Sequence, residues 1–504
     1  MANPSLQIGN DNWAIKEDNL LGYSTAGTRF VPQPITMTRA TSGTRVNSSG
    51  LVETVELFGS ELVVNGDFSN GLSDWGTSNV SLVSGGANLN NIGLSGANTY
   101  LIQSNLIAGK YYKLELDVID TNGADLVLEQ ASSTSIEAQT TGHKIVYFTQ
   151  GASSYIVIKR LSGDTNVVID NISVKEVTKN NLARVDYDGT ASSLLVEPQR
   201  TNLVTYSEDF SNSSWQKNSA TVTSGFTSAD GTENAYRLQG TVIGSNIKSD
   251  LIHIGAGYGS LSIYVRSSLS NQKFKLNWTD GGAGIVSSTE FTATNEWVRY
   301  EFSNEIYASS FDHKIISTTE NLDIEIFAAQ FELGSYPTSY IPTDGGTVTR
   351  NQDIFTRDGI GSLINSTEGV LFLEASALSN DGTSRCISIF QNGSNFIKFL
   401  YSASSNRVDF VAFSGGNVSC NITKVINNTT ENTKFALKWK VNDFALWIDG
   451  TEVGTDLSGD APLGMDKMYF TDEGGSGSKF FGKVKQLQVF KTALTDAQLT
   501  SLTS

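Results

Sequence analysis

The stretch Val63-Val64-Asn65-Gly66-Asp67-Phe68-Ser69-Asn70 is followed by Trp75, and the related stretch Tyr206-Ser207-Glu208-Asp209-Phe210-Ser211-Asn212 is followed by Trp215. Both copies contain Asp-Phe-Ser-Asn and place a tryptophan a few residues later. Segments that alternate apolar and polar residues, separated by turn residues, follow each copy. The simplest account is that one type of β-sheet domain occurs twice in the chain.

Alternating segments recur along most of the remaining sequence and predict antiparallel β-strands with one buried face. The clearest lie at 111–118, 144–148, 155–158, 167–174, 261–265, 274–278, 297–302, 324–331, 370–374 and 444–448. Asp449-Gly450 predicts a two-residue hairpin turn. Thr495, with Gln498 three residues later, predicts a capping box at the start of a C-terminal helix. The predicted fold class is all-β, with several antiparallel β-sandwiches.

Length and composition agree with this class. A chain of 504 residues has room for roughly three or four domains at ~100–200 residues each. The 47 glycines and the low charged share of 17% fit many short strands joined by tight turns. Aromatic residues make up 10% of the chain, which argues against disorder.

The net charge of −17 makes nucleic acid an unlikely partner, because an acidic surface repels phosphate. No apolar run is long enough to span a bilayer. Met1-Ala2-Asn3-Pro4 lacks the basic start and apolar stretch of a secretory signal. We therefore expect no signal-dependent secretion.

The N-terminal residues 1–35 have no clear periodicity, and Pro32 and Pro34 argue against an internal strand or helix there. We interpret this segment as irregular, with short apolar docking contacts. Cys386 and Cys420 lie in one predicted domain, so two buried thiols or one disulfide are both compatible with the sequence. The three histidines and two cysteines show no zinc-binding spacing.

The two opening stretches resemble the first strand of jelly-roll carbohydrate-binding modules, and Ile169-Asp170-Asn171-Ile172 resembles their last strand. The resemblance covers 57–178 well and 200–343 more loosely. It implies a structural calcium between the first and last strands, with Asp67 and Asp170 as candidate ligands. The alternative is that both are turn or edge carboxylates without a metal.

Aromatic side chains are the usual sugar-binding surface, because a pyranose presents apolar C–H faces that stack on aromatic rings. The alternative for each candidate is a position in the hydrophobic core, where such rings are found more often than on a binding surface. The candidates are Trp75, Tyr100 and Tyr155 in the first module and Trp215, Trp278 and Trp297 in the second.

The C-terminal region resembles laminin-G/concanavalin-A-like sandwiches. The residues that carry this resemblance are 445–454, Ala-Leu-Trp-Ile-Asp-Gly-Thr-Glu-Val-Gly, and 490–499, Phe-Lys-Thr-Ala-Leu-Thr-Asp-Ala-Gln-Leu. The second phrase is the more specific of the two.

A third resemblance, to tailed-phage structural proteins, rests on phrases scattered through the chain. They are Arg39 to Asn47, Gly50 to Glu53, Ala183 to Tyr187, Leu194 to Asn202, and Gly334 to Pro342. Two phrases that usually follow closely, ending at Glu53 and beginning at Ala183, are separated here by about 125 residues. The first jelly roll is therefore predicted to be inserted between them.

One segment resembles a catalytic strand. Residues Glu115-Leu116-Asp117-Val118-Ile119-Asp120 nearly match the Glu-x-Asp-x-x-Glu strand of concanavalin-like glucanases. Alternation places Glu115 and Asp117 on one strand face. The last position is Asp rather than Glu, and the segment lies in the wrong domain for that family. We predict that the protein is not an enzyme.

The predicted organisation has four parts. These are a virion-attachment segment at 1–56, an inserted jelly-roll module at 57–178, a second jelly-roll module with a linking segment at 179–350, and a laminin-G/concanavalin-A-like domain at 351–504. We predict a virion fibre, spike or decoration protein that displays glycan-binding-type modules on the virion surface.

The expected partners are other virion proteins, contacted through the N-terminal segment, and host-surface glycans, with homo-oligomerisation. Two alternatives stay open. One is a purely structural capsid or tail protein whose modules contact neighbouring subunits. The other is an accessory carbohydrate-binding protein of a secreted glycoside hydrolase system.

Overall fold

The computed structural model describes residues 3–504 except 11, 27–28, 84, 95–97, 130–133, 250–251, 254–255, 281–283 and 308–309. The described residues form 44 β-strands and one α-helix, and all paired strands between named elements are antiparallel, so the predicted all-β class is confirmed. The chain divides into two compact units, one formed by Met1–Val55 with Asn180–Ser504 and the other by Glu56–Lys179.

The first stretch of the larger unit contains β1 (Leu6–Gly9), β2 (Ala14–Lys16), β3 (Asn19–Ala26), β4 (Arg29–Thr38), β5 (Thr44–Val46) and β6 (Val52–Thr54). The smaller unit contains β7 (Leu57–Glu61), β8 (Gly76–Ser78), β9 (Val80–Val83), β10 (Gly86–Asn90), β11 (Tyr100–Ser104), β12 (Tyr111–Thr121), β13 (Leu126–Leu128), β14 (Thr134–Ile136), β15 (Gly142–Thr149), β16 (Tyr155–Arg160) and β17 (Asn166–Thr178).

The larger unit resumes with β18 (Arg184–Asp188), β19 (Ala191–Val196), β20 (Arg200–Asn202), β21 (Trp215–Asn218), β22 (Ala220–Phe226), β23 (Ala235–Gly240), β24 (Asn246–Ser249), β25 (Ile252–His253), β26 (Gly257–Arg266), β27 (Lys273–Asp280), β28 (Gly284–Ser287), β29 (Phe291–Thr292), β30 (Val298–Ile306), β31 (Ser310–Ser317), β32 (Leu322–Leu333) and β33 (Val348–Arg350). It ends with β34 (Ile354–Arg357), β35 (Glu368–Ala377), β36 (Arg385–Asn392), β37 (Asn395–Tyr401), β38 (Arg407–Ser414), β39 (Asn417–Val425), β40 (Thr433–Lys440), β41 (Phe444–Ile448), β42 (Thr451–Asp456), β43 (Lys467–Tyr469), β44 (Gly482–Phe490) and α1 (Asp496–Thr503).

The smaller unit is a two-layer sandwich. One sheet has the strand order β15-β12-β17-β10-β9, with β7 also paired to β17, and the other has the order β14-β13-β16-β11-β8. Leu114 and Ile169 from the first sheet share one buried core with Leu101 and Ile158 from the second. Alternation along the long strands therefore buries one face of each sheet, as the sequence predicts.

The ends of this unit lie side by side. Leu57 of β7 is the register partner of Thr178 of β17, and the Lys179 ammonium lies 2.9 Å from the Glu56 carboxylate. Outside the unit, Asn181 and Arg39 exchange two hydrogen bonds, and Arg45 donates to the carbonyl of Val185. These bonds join the chain segments that precede and follow the smaller unit.

Removing residues 57–178 and joining Glu56 to Lys179 is expected to leave a soluble protein with a cooperative melt. Domain insertion requires neighbouring ends, which this unit has, and shortening the connection changes loop entropy little. The excised segment is expected to melt cooperatively by itself. Circular dichroism and calorimetry on both pieces provide the measurement. Aggregation of the deletion protein, or a non-cooperative melt of the excised piece, would contradict the insertion model.

The second sandwich spans β20 to β33. Its sheets have the orders β21-β24-β31-β27-β28, with β25 and β29 at the side, and β22-β23-β32-β26-β30. Leu276 and Trp278 of one sheet meet Leu261 and Ile263 of the other in a single core. The predicted part 179–350 differs at its start, because β18 pairs with β19 and β19 pairs with β44, and neither pairs with this sandwich.

The N-terminal segment is not irregular. β1 pairs with β44, β3 with β4, and β4 with β34, and Leu6, Leu20 and Met37 are completely buried in the core of the C-terminal sandwich. Pro32 and Pro34 are tolerated because β4 has β34 as a second neighbour only at Thr36–Thr38. The segment therefore completes a sandwich that the sequence assigned to residues 351–504.

Local predictions in the C-terminal sandwich are confirmed. β41 and β42 form a hairpin whose turn residues, Asp449 and Gly450, have φ of 43° and 79°. Positive φ at both central positions is the geometry that Asp-Gly supplies. Thr495 and Gln498 form the capping box of α1. Cys386 and Cys420 are free and buried, so of the two alternatives left open the structure shows thiols.

Candidate functional site

Trp75 and Trp215 belong to the sandwich cores rather than to a surface. Their side chains are 7% and 2% exposed. The indole N–H of Trp75 donates to the carbonyl of Asn65 at 3.0 Å, and that of Trp215 donates to the carbonyl of Tyr206 at 2.8 Å. Each tryptophan thus fastens the opening turn of its sandwich, which corrects their prediction as sugar-stacking residues.

Trp278 is also a core residue, with no exposed surface. Its ring lies 4.7 Å from the ring of Phe302 and 5.9 Å from that of Phe331, measured between centroids. A ring enclosed in this way has no free face for a pyranose, so its prediction as a binding residue is corrected as well.

Tyr100 and Tyr155 lie on the outward face of the five-stranded sheet of the smaller unit. β11 and β16 pair so that Tyr155 is opposite Ser104 and Tyr100 is opposite Lys159, which places both tyrosines on one face. The Tyr155 side chain is 48% exposed. It borders a shallow depression of about 390 Å³ that Val64, Asp74, Ile102, Gln103, Ser104 and Asn105 also line.

Hydrogen bonds fix the floor of this depression. The Gln103 amide accepts from the N–H of Val64 and donates to the carbonyls of Val64 and Asp74. The exposed carboxylate of Asp74 accepts no hydrogen bond from the described residues. The amide nitrogen of Asn105 donates to the carbonyl of Leu62. A planar ring therefore stands beside oxygen acceptors that are free to bind hydroxyl groups.

Trp297 lies elsewhere, in the larger unit, and is half-buried. The Arg266 guanidinium sits 4.8 Å from its ring centroid, and the ring meets that of Phe327 edge-on at 6.5 Å. Three of the six predicted aromatic residues, Tyr100, Tyr155 and Trp297, are therefore accessible. The two tyrosines lie in the smaller unit, and Trp297 lies in the larger unit.

Glu115 and Asp117 share the outward face of the six-stranded sheet, as predicted, but they are occupied by neighbouring charges. His143 Nδ1 lies 2.8 Å from an Asp117 oxygen and its Nε2 lies 3.5 Å from Glu115. Lys113 pairs with Glu115 at 2.7 Å, and Asn171 donates to Asp117 at 2.8 Å. The sequence did not predict the part played by His143.

The electrostatics of this cluster keep both carboxyl groups ionised. Burial would raise the pKa of Glu115, but Lys113 and His143 together lower it. Hydrogen bonds from Asn171 and His143 lower the pKa of Asp117, and the same carboxylates raise the pKa of His143. A glycosidase pair needs one carboxyl group with a raised pKa to act as the general acid.

The predicted calcium ligands fit a metal only in part. Asp67 accepts two hydrogen bonds from Ser69, at 3.2 and 2.9 Å, and Asp209 makes the same turn with Ser211 in the second sandwich. Asp170 Oδ1 is buried and has no hydrogen-bond partner among the described residues. Across the described ranges, no group of three or more His, Cys, Asp and Glu side chains is arranged to hold a metal ion.

A structural calcium at Asp170 would nevertheless supply the missing partner of that oxygen. Chelation of the full chain is then expected to lower the melting temperature of the smaller unit by roughly 5–10 °C, starting from calcium at about 100 times its Kd. Differential scanning calorimetry with EDTA and with added calcium measures this shift. The Asp170→Asn variant should lose it. An unchanged melt in chelator, with no metal found by elemental analysis, would contradict the calcium prediction.

Arg39, Arg184 and Glu197 of the phage-like phrases form a buried ion cluster with Arg350 and Asp353, which lie outside those phrases, and the sequence did not predict this cluster. We use this name for Arg39, Arg184, Arg350, Glu197 and Asp353, whose side chains are between 0% and 4% exposed. Arg184 contacts both carboxylates, Arg39 contacts Asp353 at 2.7 Å, and Arg350 contacts Glu197 at 2.8 Å.

Neighbouring chain segments complete the cluster. The N–H and hydroxyl of Ser339 each donate to Glu197 at 2.7 Å, and Arg350 donates to the carbonyl of Pro198 at 2.9 Å. Burial would raise the pKa of Glu197, but the charges of Arg350 and Arg184 outweigh burial and hold that pKa below its usual range. The cluster therefore forms a polar interior that joins the first strands, the second sandwich and the C-terminal sandwich of this unit.

The described helix is too short and too polar to be a candidate membrane span. No protein-family model matches the chain, and no curated protein matches it. Searches of solved structures find low-identity likenesses. One is to a leech intramolecular trans-sialidase, at 18% identity and a TM-score of 0.24, over 28% of this chain and 23% of that one.

A second likeness is to the CBM22-1-CBM22-2 tandem domain from Paenibacillus barcinonensis Xyn10C, at 10% identity and a TM-score of 0.21, over 55% of this chain and 98% of that one. A third is to Trypanosoma rangeli sialidase, at 9% identity and a TM-score of 0.23, over 99% and 93% of the two chains. TM-scores this low establish neither a shared fold nor a shared activity, so the functional argument rests on the residues described above.

Proposed function

We propose that this chain is a non-enzymatic structural protein of a tailed-phage virion, of the fibre, spike or decoration type, and that it presents sandwich modules to surface glycans. The observation that carries glycan binding is the outward face of the five-stranded sheet. There Tyr155, 48% exposed, stands beside the free acceptors of Asp74 and Asn105. Aromatic faces next to planar polar groups are the surface that a pyranose fits.

The absence of hydrolase activity is part of the proposal. Glu115 and Asp117 are the pair that sequence reasoning weighed for catalysis, and both have lowered pKa values. Neither carboxyl group would be protonated at neutral pH, so neither could donate a proton to a leaving group. Their bonds to Lys113, His143 and Asn171 indicate a structural role on an exposed sheet face.

The virion assignment is supported by the phage-like phrases, which supply Arg39, Arg184 and Glu197 of the buried ion cluster. A phrase that builds the interior of a domain is a stronger basis for resemblance than one in a surface loop. Contact with other virion proteins is proposed through the surface of the C-terminal sandwich, because the first strands of the chain are built into its core. Homo-oligomerisation stays a prediction.

Glycan binding is tested with the full chain on a glycan array, followed by titration of any positive glycan. Tyr155→Ala is expected to weaken binding at least about fivefold, because stacking on an aromatic ring contributes ~1 kcal/mol or more. Tyr258→Ala is the matched control, since Tyr258 is 49% exposed in the second sandwich. No binding to any glycan, or equal losses in both variants, would contradict the proposal.

Two further measurements test the absence of hydrolase activity and the virion location. No reducing sugar should be released from a polysaccharide panel. Release that disappears in Glu115→Gln would show that the protein is an enzyme. Mass spectrometry of purified virions, followed by labelling of the particle, tests the virion location.

A further inference from the structure

A second candidate ligand site lies in the larger unit, where the second sandwich meets the C-terminal sandwich. It is a cleft of about 470 Å³, within the size range of small-molecule sites. Its lining residues come from 44–52, from 186–197, from positions 264, 297–301 and 337–340 of the second sandwich, and from Leu378 and Lys483. Clefts at domain boundaries are preferred places for ligands, because several segments can contribute side chains at once.

Aromatic rings form one side of the cleft and are held in place from behind. Trp297 lies against the Arg266 guanidinium at 4.8 Å. The Tyr264 ring packs on that of Phe327 at 6.3 Å and lies 5.9 Å from the Arg299 guanidinium. Tyr187 lines the same space. Rings fixed by such contacts lose little side-chain entropy when a ligand stacks on them.

Polar groups form the other side and are pre-oriented. The Arg299 guanidinium donates to the Ser262 hydroxyl at 2.7 Å and to the carbonyl of Thr338 at 2.6 Å. The Asp186 carboxylate accepts from the N–H of Val46 at 2.9 Å and from Lys483 at 2.8 Å. Glu301, whose side chain is 47% exposed, reaches to 3.6 Å from Arg299.

The charges around the cleft nearly balance. Arg299 and Lys483 face Asp186, Asp188 and Glu301, and Arg45 is already paired with Glu53 at 2.8 Å. Glu197, which also lines the cleft, is already neutralised by Arg184 and Arg350 in the buried ion cluster. A strongly anionic ligand would find no net positive charge here, whereas a neutral ligand with many hydroxyl groups could bond to both signs.

We infer that this cleft binds a neutral saccharide, with Trp297 and Tyr264 contacting its apolar faces and Arg299, Glu301 and Lys483 contacting its hydroxyl groups. The inference rests on the proposed function, because it assigns a second and separate glycan site to the same protein. The cleft differs from the depression beside Tyr155 in the residues that line it, in the unit that contains it and in its selection against charged sugars.

The cleft inference is tested by calorimetric titration of the full chain. The ligands are neutral trisaccharides of glucose, xylose and N-acetylglucosamine, with sialyllactose as the acidic probe. A neutral trisaccharide is expected to bind and sialyllactose is not. Trp297→Ala and Glu301→Gln should each weaken that binding at least fivefold, while Tyr155→Ala should leave the cleft component unchanged. Glu290→Gln is the control, because Glu290 is a similarly exposed carboxylate on the second sandwich.

The outcomes separate the two sites. Binding that is lost in Tyr155→Ala and unchanged in Trp297→Ala and Glu301→Gln overturns the cleft inference and leaves the proposed function standing. Binding of sialyllactose that Glu301→Gln strengthens overturns the neutral assignment. No saccharide bound at all overturns both. If Trp297→Ala melts at a lower temperature, Glu301→Gln decides alone, because its exposed side chain is not needed for folding.

Discussion

Arg184→Met is expected to reduce the free energy of unfolding of the larger unit by about 3–5 kcal/mol, the usual cost of removing one member of a buried ion pair. Arg184 is completely buried and bridges Glu197 and Asp353. Without it, Asp353 keeps Arg39 and Glu197 keeps Arg350, but each loses the contact that joins the two pairs. The desolvated carboxylates would then lack part of the positive charge that stabilises them.

The measurement is chemical denaturation of the full chain, followed by tryptophan fluorescence. Arg407→Met is the matched control, because Arg407 makes a two-bonded pair with Asp409 in the same unit but is 36% exposed. A partly exposed pair contributes up to about 1 kcal/mol. Adding Glu197→Gln and Asp353→Asn to Arg184→Met should deepen the loss, since Arg39 and Arg350 would then stay buried without a carboxylate partner. Equal losses in Arg184→Met and Arg407→Met would show that the cluster contributes no more than a surface pair.

The sequence predicts well those features that neighbouring residues decide. Strand alternation, the Asp449-Gly450 turn and the Thr495 capping box all depend on residues within about ten positions of each other. The position of β1 could not be predicted in this way. Leu6 pairs with Val489 on a strand at the other end of the chain, and no local pattern encodes that partner.

The aromatic residues show a second limit. A tryptophan in a core and a tryptophan on a binding face have the same chemistry in a sequence. The signal that could have separated them is the repeat itself. Trp75 and Trp215 follow their opening turns at equivalent positions, and both donate to a backbone carbonyl of that turn. A residue that recurs with the turn is more simply explained as part of the turn's structure than as part of a site.

The buried ion cluster had a signal of the same kind. Glu197 follows the apolar residues Leu194-Leu195-Val196 and precedes a proline, and Arg184 follows Leu182-Ala183. A charge next to an apolar run often enters an interior, where it needs a partner of opposite sign. Arg184 and Glu197 are 13 residues apart, but the other three pairs join segments more than 150 residues apart, so only the structure defines the pairing.

Acid is expected to destabilise the larger unit through His313. Burial lowers the pKa of His313 to about 3, against 6.5 when the side chain is free. Its Nδ1 shares a hydrogen bond of 2.7 Å with the Ser249 hydroxyl, and its Nε2 is buried without a partner among the described residues. Protonation would put a charge on the His313 ring, which packs against the rings of Trp215 and Phe331. Neither ring offers a hydrogen-bond acceptor for the new N–H.

The sign follows from the lowered pKa. The unfolded chain binds a proton at His313 below pH 6.5, whereas the folded chain does not until about pH 3. The contribution of the neutral imidazole to the free energy of unfolding is therefore fully present above pH 6.5. It is lost as the pH falls towards 3, at up to about 1.4 kcal/mol for each pH unit. Asp312 opposes the shift only weakly, because Lys248 and Lys314 already pair with it.

The test is the free energy of unfolding between pH 7 and pH 4 in the native chain, in His313→Asn and in His143→Asn. His313→Asn should lower stability at neutral pH but flatten its fall with acid, because the titrating group is gone. His143→Asn should leave that fall unchanged, because His143 belongs to the smaller unit, where its raised pKa contributes stability at low pH that is lost as the pH rises. Nuclear magnetic resonance should show the His313 ring still neutral at pH 5, when the His143 ring is protonated. A His313 ring that titrates near pH 6.5 in the folded protein would contradict this account.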